Sequence, residues 1–220
     1  MIPIGPTVLV VDDHELVATT LVLGLRAEGL DARTCAPVTA TAQEGPGLVL
    51  LDLDLGRDAR GRRLDGVTLV EPLRARGWTV LVLSGTADRA RVGAALAEGA
   101  VAAVPKAAPF PRLLAAVRAA LAGGEAMSDA RRRELVELHA QRSVERRALA
   151  ARLGSLTPRE REVLAHLAAG HRAQAVADTF VVSLATVRSQ IRAILTKLGV
   201  SSQLEAVALY RKAAPPDGVL

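Results

Sequence analysis

The sequence predicts an α/β protein: a doubly wound, parallel five-stranded sheet continued by a small all-α unit. Three observations carry this expectation. Between residues 7 and 121, five short runs of Val, Leu and Ala alternate with amphipathic or Ala-rich stretches, the pattern of repeated βα units. The central run, Leu48–Leu51, is apolar throughout, as a strand covered on both faces must be, and the chain turns polar at Asp52. After Gly123 and Gly124 the strand signals stop and helix-capping patterns recur.

In order, Thr7–Val11 is the first strand, ending on Asp12 and Asp13 before a helical run from Glu15 to Glu28. Asp31–Cys35 and Leu48–Asp52 repeat the strand pattern with an Ala-rich stretch between them. Val67–Arg74 reads as a helix made imperfect by Pro72. Thr79–Leu83 leads to Ser84, Asp88–Glu98 is helical, Val101–Val104 leads to Lys106, and Phe110–Leu121 closes the alternation. A helix from about Ser128 to Leu153 follows, whose partial stripe of Leu135, Leu138 and Leu149 is broken for a coiled coil by Arg142 and Glu145.

Composition narrows the function classes. With 220 residues, half of them hydrophobic, the chain has enough apolar material for two cores and is not mostly disordered. Aromatics make up 2%, so base stacking on aromatic platforms is excluded as the main way of holding nucleic acid. Residues 1–124 carry 13 basic and 13 acidic side chains, whereas residues 125–220 carry 15 and 10, so the net +5 lies in the C-terminal part and favours an anionic partner there. Cys35 is the only cysteine, which excludes an intrachain disulfide or a cysteine metal cluster. The four histidines lack zinc-ligand spacing and are assigned surface or capping roles. The opening residues lack the basic and apolar regions of a signal peptide, no membrane span follows, and a cytoplasmic setting is expected.

Asp12, Asp13, Asp52, Ser84 and Lys106 each fall just after a strand of one parallel sheet, and so on the edge where such folds place their chemistry. Asp52 alone reads as a phosphate acceptor, a metal ligand or a loop cap. Pooled, the residues supply a set for acyl phosphate chemistry. Three carboxylates in one crevice demand a cation, and oxygen donors that also meet a phosphate suit Mg²⁺. Asp52 is then the nucleophile, while Lys106 and Ser84 attend the phosphoryl oxygens.

The segments Val11-Asp12-Asp13-His14, LLDLDLG around Asp52, VLSG at Ser84 and VPK at Lys106 resemble a response-regulator receiver domain across residues 7–122, with its flavodoxin-like sheet. The resemblance implies phosphorylation of Asp52 by a sensor histidine kinase. It also implies Mg²⁺ held directly by Asp13 and Asp52, through water by Asp12, and by the backbone carbonyl of Asp54. Two departures stand out. Ala103 occupies the position of the family's usual aromatic switch residue, and residues 57–63 lengthen the loop beside Asp52 and bring four arginines. That loop is expected either to affect phosphodonor access or partner choice, or to be a flexible solvated insertion. The Asp52-Leu53-Asp54 motif also resembles haloacid-dehalogenase-type phosphatases, but those enzymes place their further acids after the lysine, and Asp12 and Asp13 precede Asp52 here.

In the C-terminal part, Thr157 to Glu160 reads as a capping box with Pro158 at the first helical position. A second helix spans Ala173–Thr179, Ser183 caps a third that Gly199 ends, and Ser202 to Glu205 repeats the capping box for a fourth. In the third helix Val187, Ile191, Ile194 and Leu198 share one face, leaving Arg188, Ser189 and Arg192 on another, which points to a helix-turn-helix entering the major groove of double-stranded DNA. LTPREREVLAHLAAG and SLATVRSQIRAILTKLGVSS resemble the four-helix DNA-binding domain of LuxR/NarL-type regulators. By that resemblance Arg188, Ser189 and Arg192 face bases or nearby phosphates, Thr186, Gln190 and Lys197 contact the DNA backbone, and the fourth helix is the dimer surface.

The expected organisation is a receiver at 1–123, a helical linker at 124–154, a DNA-binding domain at 155–212 and a tail at 213–220. The expected function is a non-enzymatic DNA-binding response regulator, a homodimer when active. The alternative is a regulator whose receiver works without phosphorylation.

Overall fold

A computed structural model describes residues 6–42, 45–58, 60–85 and 89–213. The chain divides into two compact units, Met1–Gln141 and Arg142–Leu220. In the first, β1 (Thr7–Val11), α1 (Glu15–Ala27), β2 (Ala32–Thr34), α2 (Pro37–Ala40), β3 (Gly47–Asp52), β4 (Asp54–Arg57) and β5 (Arg63–Asp65) come first. They are followed by α3 (Val67–Ala75), β6 (Trp78–Ser84), α4 (Arg89–Ala97), β7 (Ala102–Pro105) and α5 (Phe110–Leu121). The division between the units falls inside the next helix, α6 (Asp129–Gly154).

Five parallel strands form the sheet, as the sequence predicts, and their order is β2-β1-β3-β6-β7. Alternation along the strands sends successive side chains to opposite faces. Leu9, Val11, Val49, Leu51, Val80 and Val82 point to one face and meet Val70, Leu73, Val92 and Leu96 of α3 and α4. Val8, Val10, Leu48, Leu50, Leu81 and Leu83 point to the other and meet Val22 and Leu25 of α1 and Leu113 and Val117 of α5. Val8–Val11 and Leu48–Leu51 are fully buried, which is why these runs contain no polar residue.

Two local features depart from the sequence reading. The Ala-rich stretch contains the short helix α2, and the lengthened loop is a hairpin of β4 and β5 rather than irregular chain. Asp58 organises that hairpin: its carboxylate accepts from the backbone N–H groups of Arg60 (2.8 Å) and Arg62 (2.9 Å) and from Arg62 Nε (2.8 Å). These bonds, the Arg62 N–H foremost, hold its carboxyl below the usual range. Pro72 sits inside α3 without ending it. The expected start of α4 at Asp88 and the tail after 213 lie outside the described residues.

The second unit contains α7 (Pro158–Ala168), α8 (Ala173–Phe180), α9 (Leu184–Leu198) and α10 (Gln203–Ala213). Leu164, Val176, Val187, Ile194 and Leu198 are at its buried centre. The capping box at Thr157 forms in full: Glu160 N donates to Thr157 Oγ1 (3.2 Å) and Thr157 N to Glu160 Oε2 (2.7 Å). Ser183 caps α9 through Thr186 N, and Gly199 ends it with a φ of 60°. The expected box at Ser202 forms in part. Ser202 Oγ accepts from Glu205 N, but the Glu205 carboxylate reaches back to Ser201 N (3.0 Å), one residue further than expected.

The turn from α8 into α9 places Val181 at φ 54° and ψ 48°, a left-handed conformation that crowds a β-branched side chain, and leaves it 90% exposed. Because a non-glycine residue there costs roughly 1–2 kcal/mol, Val181→Asn should stabilise the protein by about 1 kcal/mol, read as a higher midpoint in urea unfolding. An unchanged or lower midpoint would show that the turn is not strained at this residue.

Candidate functional site

The sheet order reverses direction at β1 and β3, and the crevice beyond their C-terminal ends is where an open α/β sheet can receive a ligand. Val11 and Leu51 are in register, so Asp12 and Asp52 leave the sheet side by side. Leu83 is in register with Asp52, and Ser84 with Pro105, which brings Ser84 and Lys106 to the same edge.

Lys106 closes the arrangement. Its Nζ donates to Asp12 Oδ2 and to Asp52 Oδ2, both at 2.7 Å, across 94 and 54 residues of sequence. The side chains of Asp12 and Asp52 are 0% and 3% exposed, so two buried carboxylates depend on one cation. Burial pushes Asp52 above the usual carboxylate range, against the lowering effect of Lys106 and of the Asp54 N–H that it accepts. Burial alone would depress Lys106, but its hydrogen bonds to Asp12 and Asp52 raise it overall, so the ammonium form is held.

Asp13 is more exposed. Carboxylate oxygens of Asp12, Asp13 and Asp52 and a ring nitrogen of His14 all lie within 4.8 Å of one another. His14 joins the cluster from an exposed position at the start of α1, in keeping with the surface role that the sequence implies. It stands at the N-cap of α1 without a side-chain capping bond, and its Nδ1 lies 2.8 Å from Asp13 Oδ1. Gly56, at φ 63°, leaves room for Asp13, since a Cβ there would lie 2.8 Å from Asp13 Oδ2. The Asp54 side chain turns away to Arg63 (3.1 Å). Ser84 is half-buried at the end of β6. Its carbonyl accepts from Lys106 N (2.8 Å), while its hydroxyl makes no hydrogen bond to Asp52 or Lys106. Arg91 of α4, which the sequence reading did not single out, donates to Leu53 O and to Asp65 Oδ1, fastening both ends of the hairpin beside Asp52.

In the second unit α9 buries Val187, Ile194 and Leu198 and leaves Arg188, Ser189 and Arg192 exposed, as the periodicity predicts. Thr186 Oγ1 lies 2.8 Å from Ser183 Oγ at the helix start. Gln190 is half-buried, and its Oε1 is shielded from solvent without a hydrogen-bond partner among the described residues. Lys197 Nζ pairs with Glu160 Oε2 at 2.7 Å, a contact between α9 and α7 that the sequence reading did not foresee. Although burial acts to raise Glu160, Lys197 and Thr157 outweigh it and hold its carboxyl below the usual range.

The sheet order and the acid edge define the receiver class of signalling domain, and residues 8–118 match the family model described as the response regulator receiver domain. Residues 154–210 match the model described as bacterial regulatory proteins of the luxR family. The transcriptional activator protein ExaE of Pseudomonas putida is 32% identical over 210 residues, covering 92% of this chain and 94% of its own. The transcriptional regulatory protein TdiR of Thauera aromatica is 29% identical over 202 residues, covering 89% and 81%. A solved structure of the response regulator StyR is 28% identical, covers 94% of this chain and 99% of its own, and superposes with a TM-score of 0.43. The chain therefore belongs to the LuxR/NarL family of DNA-binding two-component response regulators.

The raised pKa of Asp52 has a testable sign. The folded protein holds this proton more tightly than the unfolded chain, whose reference value is 3.8, so the stability it contributes is full below that value and is lost as pH rises through the folded pKa. In magnesium-free buffer, the stability of Asp52→Asn relative to the parent should rise across that acidic window and then level off, measured by urea unfolding at stepped pH. A difference independent of pH would show that burial does not control this group.

Proposed function

We propose that Asp52 accepts a phosphoryl group from a sensor histidine kinase, and that this event controls dimerisation or release of the DNA-binding unit and hence transcription. The observation that carries the reading is the bridge from Lys106 to both Asp12 and Asp52, with Asp13 beside it. A carboxylate with raised proton affinity is a better nucleophile. An Asp52 oxygen attacks phosphorus, an acyl phosphate bond forms, and the bond to the donor histidine breaks with its electron pair returning to the imidazole. The Lys106 ammonium then offsets charge on the phosphoryl oxygens, and rotation of the Ser84 hydroxyl supplies a donor to one of them.

Mg²⁺ fits the donor set, because oxygen ligands from two neighbouring strand ends meet in a crevice with more negative than positive charge. Asp13 and Asp52 would hold it directly, Asp12 through water, and the Asp54 carbonyl would complete the protein ligands. When bound, the ion supplies positive charge against the carboxylates and the incoming phosphate.

For the second unit, Arg188, Ser189 and Arg192 are assigned to base edges or nearby phosphates, and Thr186 and Gln190 to the DNA backbone. Lys197 is the weaker assignment for a backbone contact, since it must share its charge with Glu160. The domains of this reading are a receiver at 1–123, a linker at 124–154, a DNA-binding domain at 155–212 and a tail at 213–220, in a regulator that is not an enzyme. Among the described residues no helix is long and apolar enough to cross a membrane. A DNA target and a kinase partner together imply a cytoplasmic location.

Ala103 favours a second reading, in which DNA binding is switched without phosphate, because the bulky switch residue implied by the family resemblance is missing. DNA affinity and sedimentation velocity with and without beryllofluoride separate the two. Tighter binding with beryllofluoride supports phosphate control, and an unchanged affinity and mass overturns it.

Two substitutions test the assigned residues. Asp52→Ala should abolish incorporation of labelled phosphate from acetyl phosphate, and incorporation at the parent rate would remove Asp52 from the mechanism. Arg192→Ala should weaken binding to a selected DNA site by about 1–3 kcal/mol at matched salt, measured by fluorescence anisotropy. Unchanged affinity would place the recognition surface elsewhere.

A further inference from the structure

Behind Ser84, on the side of the sheet edge away from Asp13, the first unit contains a cleft of about 700 Å³ between the ends of β6 and β7, α5 and the start of α6. Its size lies within the range of small-molecule sites. Small side chains create it: Ala103 on β7 and Ala115 and Ala119 on α5 leave open space that larger residues would fill. The roof is fixed in place. Leu135 of α6 is buried against the sheet core, and its carbonyl oxygen lies where a Cβ on Gly93 of α4 would come within 2.0 Å, so this helix crossing depends on a glycine. Arg132 secures the same helix by donating to the carbonyls of Ala100 (3.0 Å) and Val101.

The charges described around this cleft lean positive. Among the described residues Arg89, Arg112 and Arg131 line the cleft together with one acid, Glu125. Arg89 and Arg131 share one carboxylate, that of Glu134, and Glu125 accepts from the backbone N–H of Asp129. Arg112 is exposed and has no acidic partner among the described residues. An alanine-lined floor with one guanidinium free of an acidic partner, that of Arg112, and two that share a single carboxylate is complementary to a molecule with an apolar body and a single anionic head.

We propose that this cleft is a binding site for a small amphipathic organic anion, an input to the protein separate from Asp52. A ligand there rests against Ser84 and against β7, the strand that leads directly into Lys106, so its occupancy acts on the residues that hold the acid pair.

The test uses the full chain, with decanoate as the anionic probe and decyltrimethylammonium as its cationic counterpart, in calorimetric titrations and amide chemical-shift mapping. Decanoate should bind saturably at one site, below its micellar range, with shifts centred on Ala103, Ala115 and Ala119, while the cationic probe should not bind. Arg112→Gln, on an exposed position that leaves the fold intact, should weaken decanoate about tenfold. Ala119→Phe, with its fold checked by circular dichroism, should abolish binding by filling the space. Absence of saturable binding, equal binding of both probes, or shifts centred elsewhere would overturn the proposal. So would an Ala119→Phe protein that binds neither probe but differs from the parent in monomer–dimer balance, since the face would then be an interface between copies.

Discussion

Two carboxylates brought side by side by adjacent parallel strands, and one ammonium group that reaches both, are the constraint on which the first unit rests. Removing Asp12 and Asp52 from water is unfavourable, and their mutual repulsion makes it worse. The sheet accepts both because Lys106, just after β7 on the far side of β6, reaches across the edge to lie 2.7 Å from each. The strand order is therefore an electrostatic requirement as well as a packing solution. With the lysine at another edge, the two acids would have to take up protons or remain exposed.

The sequence made the strands and the chemistry at their ends legible for a simple physical reason. A strand buried on both faces must be apolar throughout, so the position where Leu48–Leu51 meets Asp52 marks both the end of the strand and the group presented there. Thr157 and Glu160 were equally legible, because a reciprocal cap needs two residue types at one spacing. The hairpin was not, since Asp58 builds it from bonds to two backbone N–H groups that leave no periodic trace. Arg91, and the pairing of Lys197 with Glu160, leave no local signal because the partners are 26 and 37 residues apart. His14 was discounted by a test for zinc spacing, whereas what places it in the cluster is its position directly after Asp13.

Helix α6 shows how little composition says about the two halves of a long helix. Its average character is polar and its apolar stripe is incomplete. Yet Leu135 is buried in the core of the first unit, and Leu153 packs at the margin of the core in the second. Each unit thus includes an end of the same helix in its own hydrophobic cluster, so neither end can detach without exposing apolar surface.

The fastening of the hairpin by Arg91 has a consequence for how this protein varies. The bonds to Leu53 and Asp65 hold the base of the β4–β5 excursion, and Asp58 organises its outer turn independently. Changes at the apex therefore do not have to propagate to Asp52, because chain added beyond a fixed base costs little closure entropy. Such an appendage tolerates change in length and charge at its tip while the geometry of the acid edge beneath it stays the same.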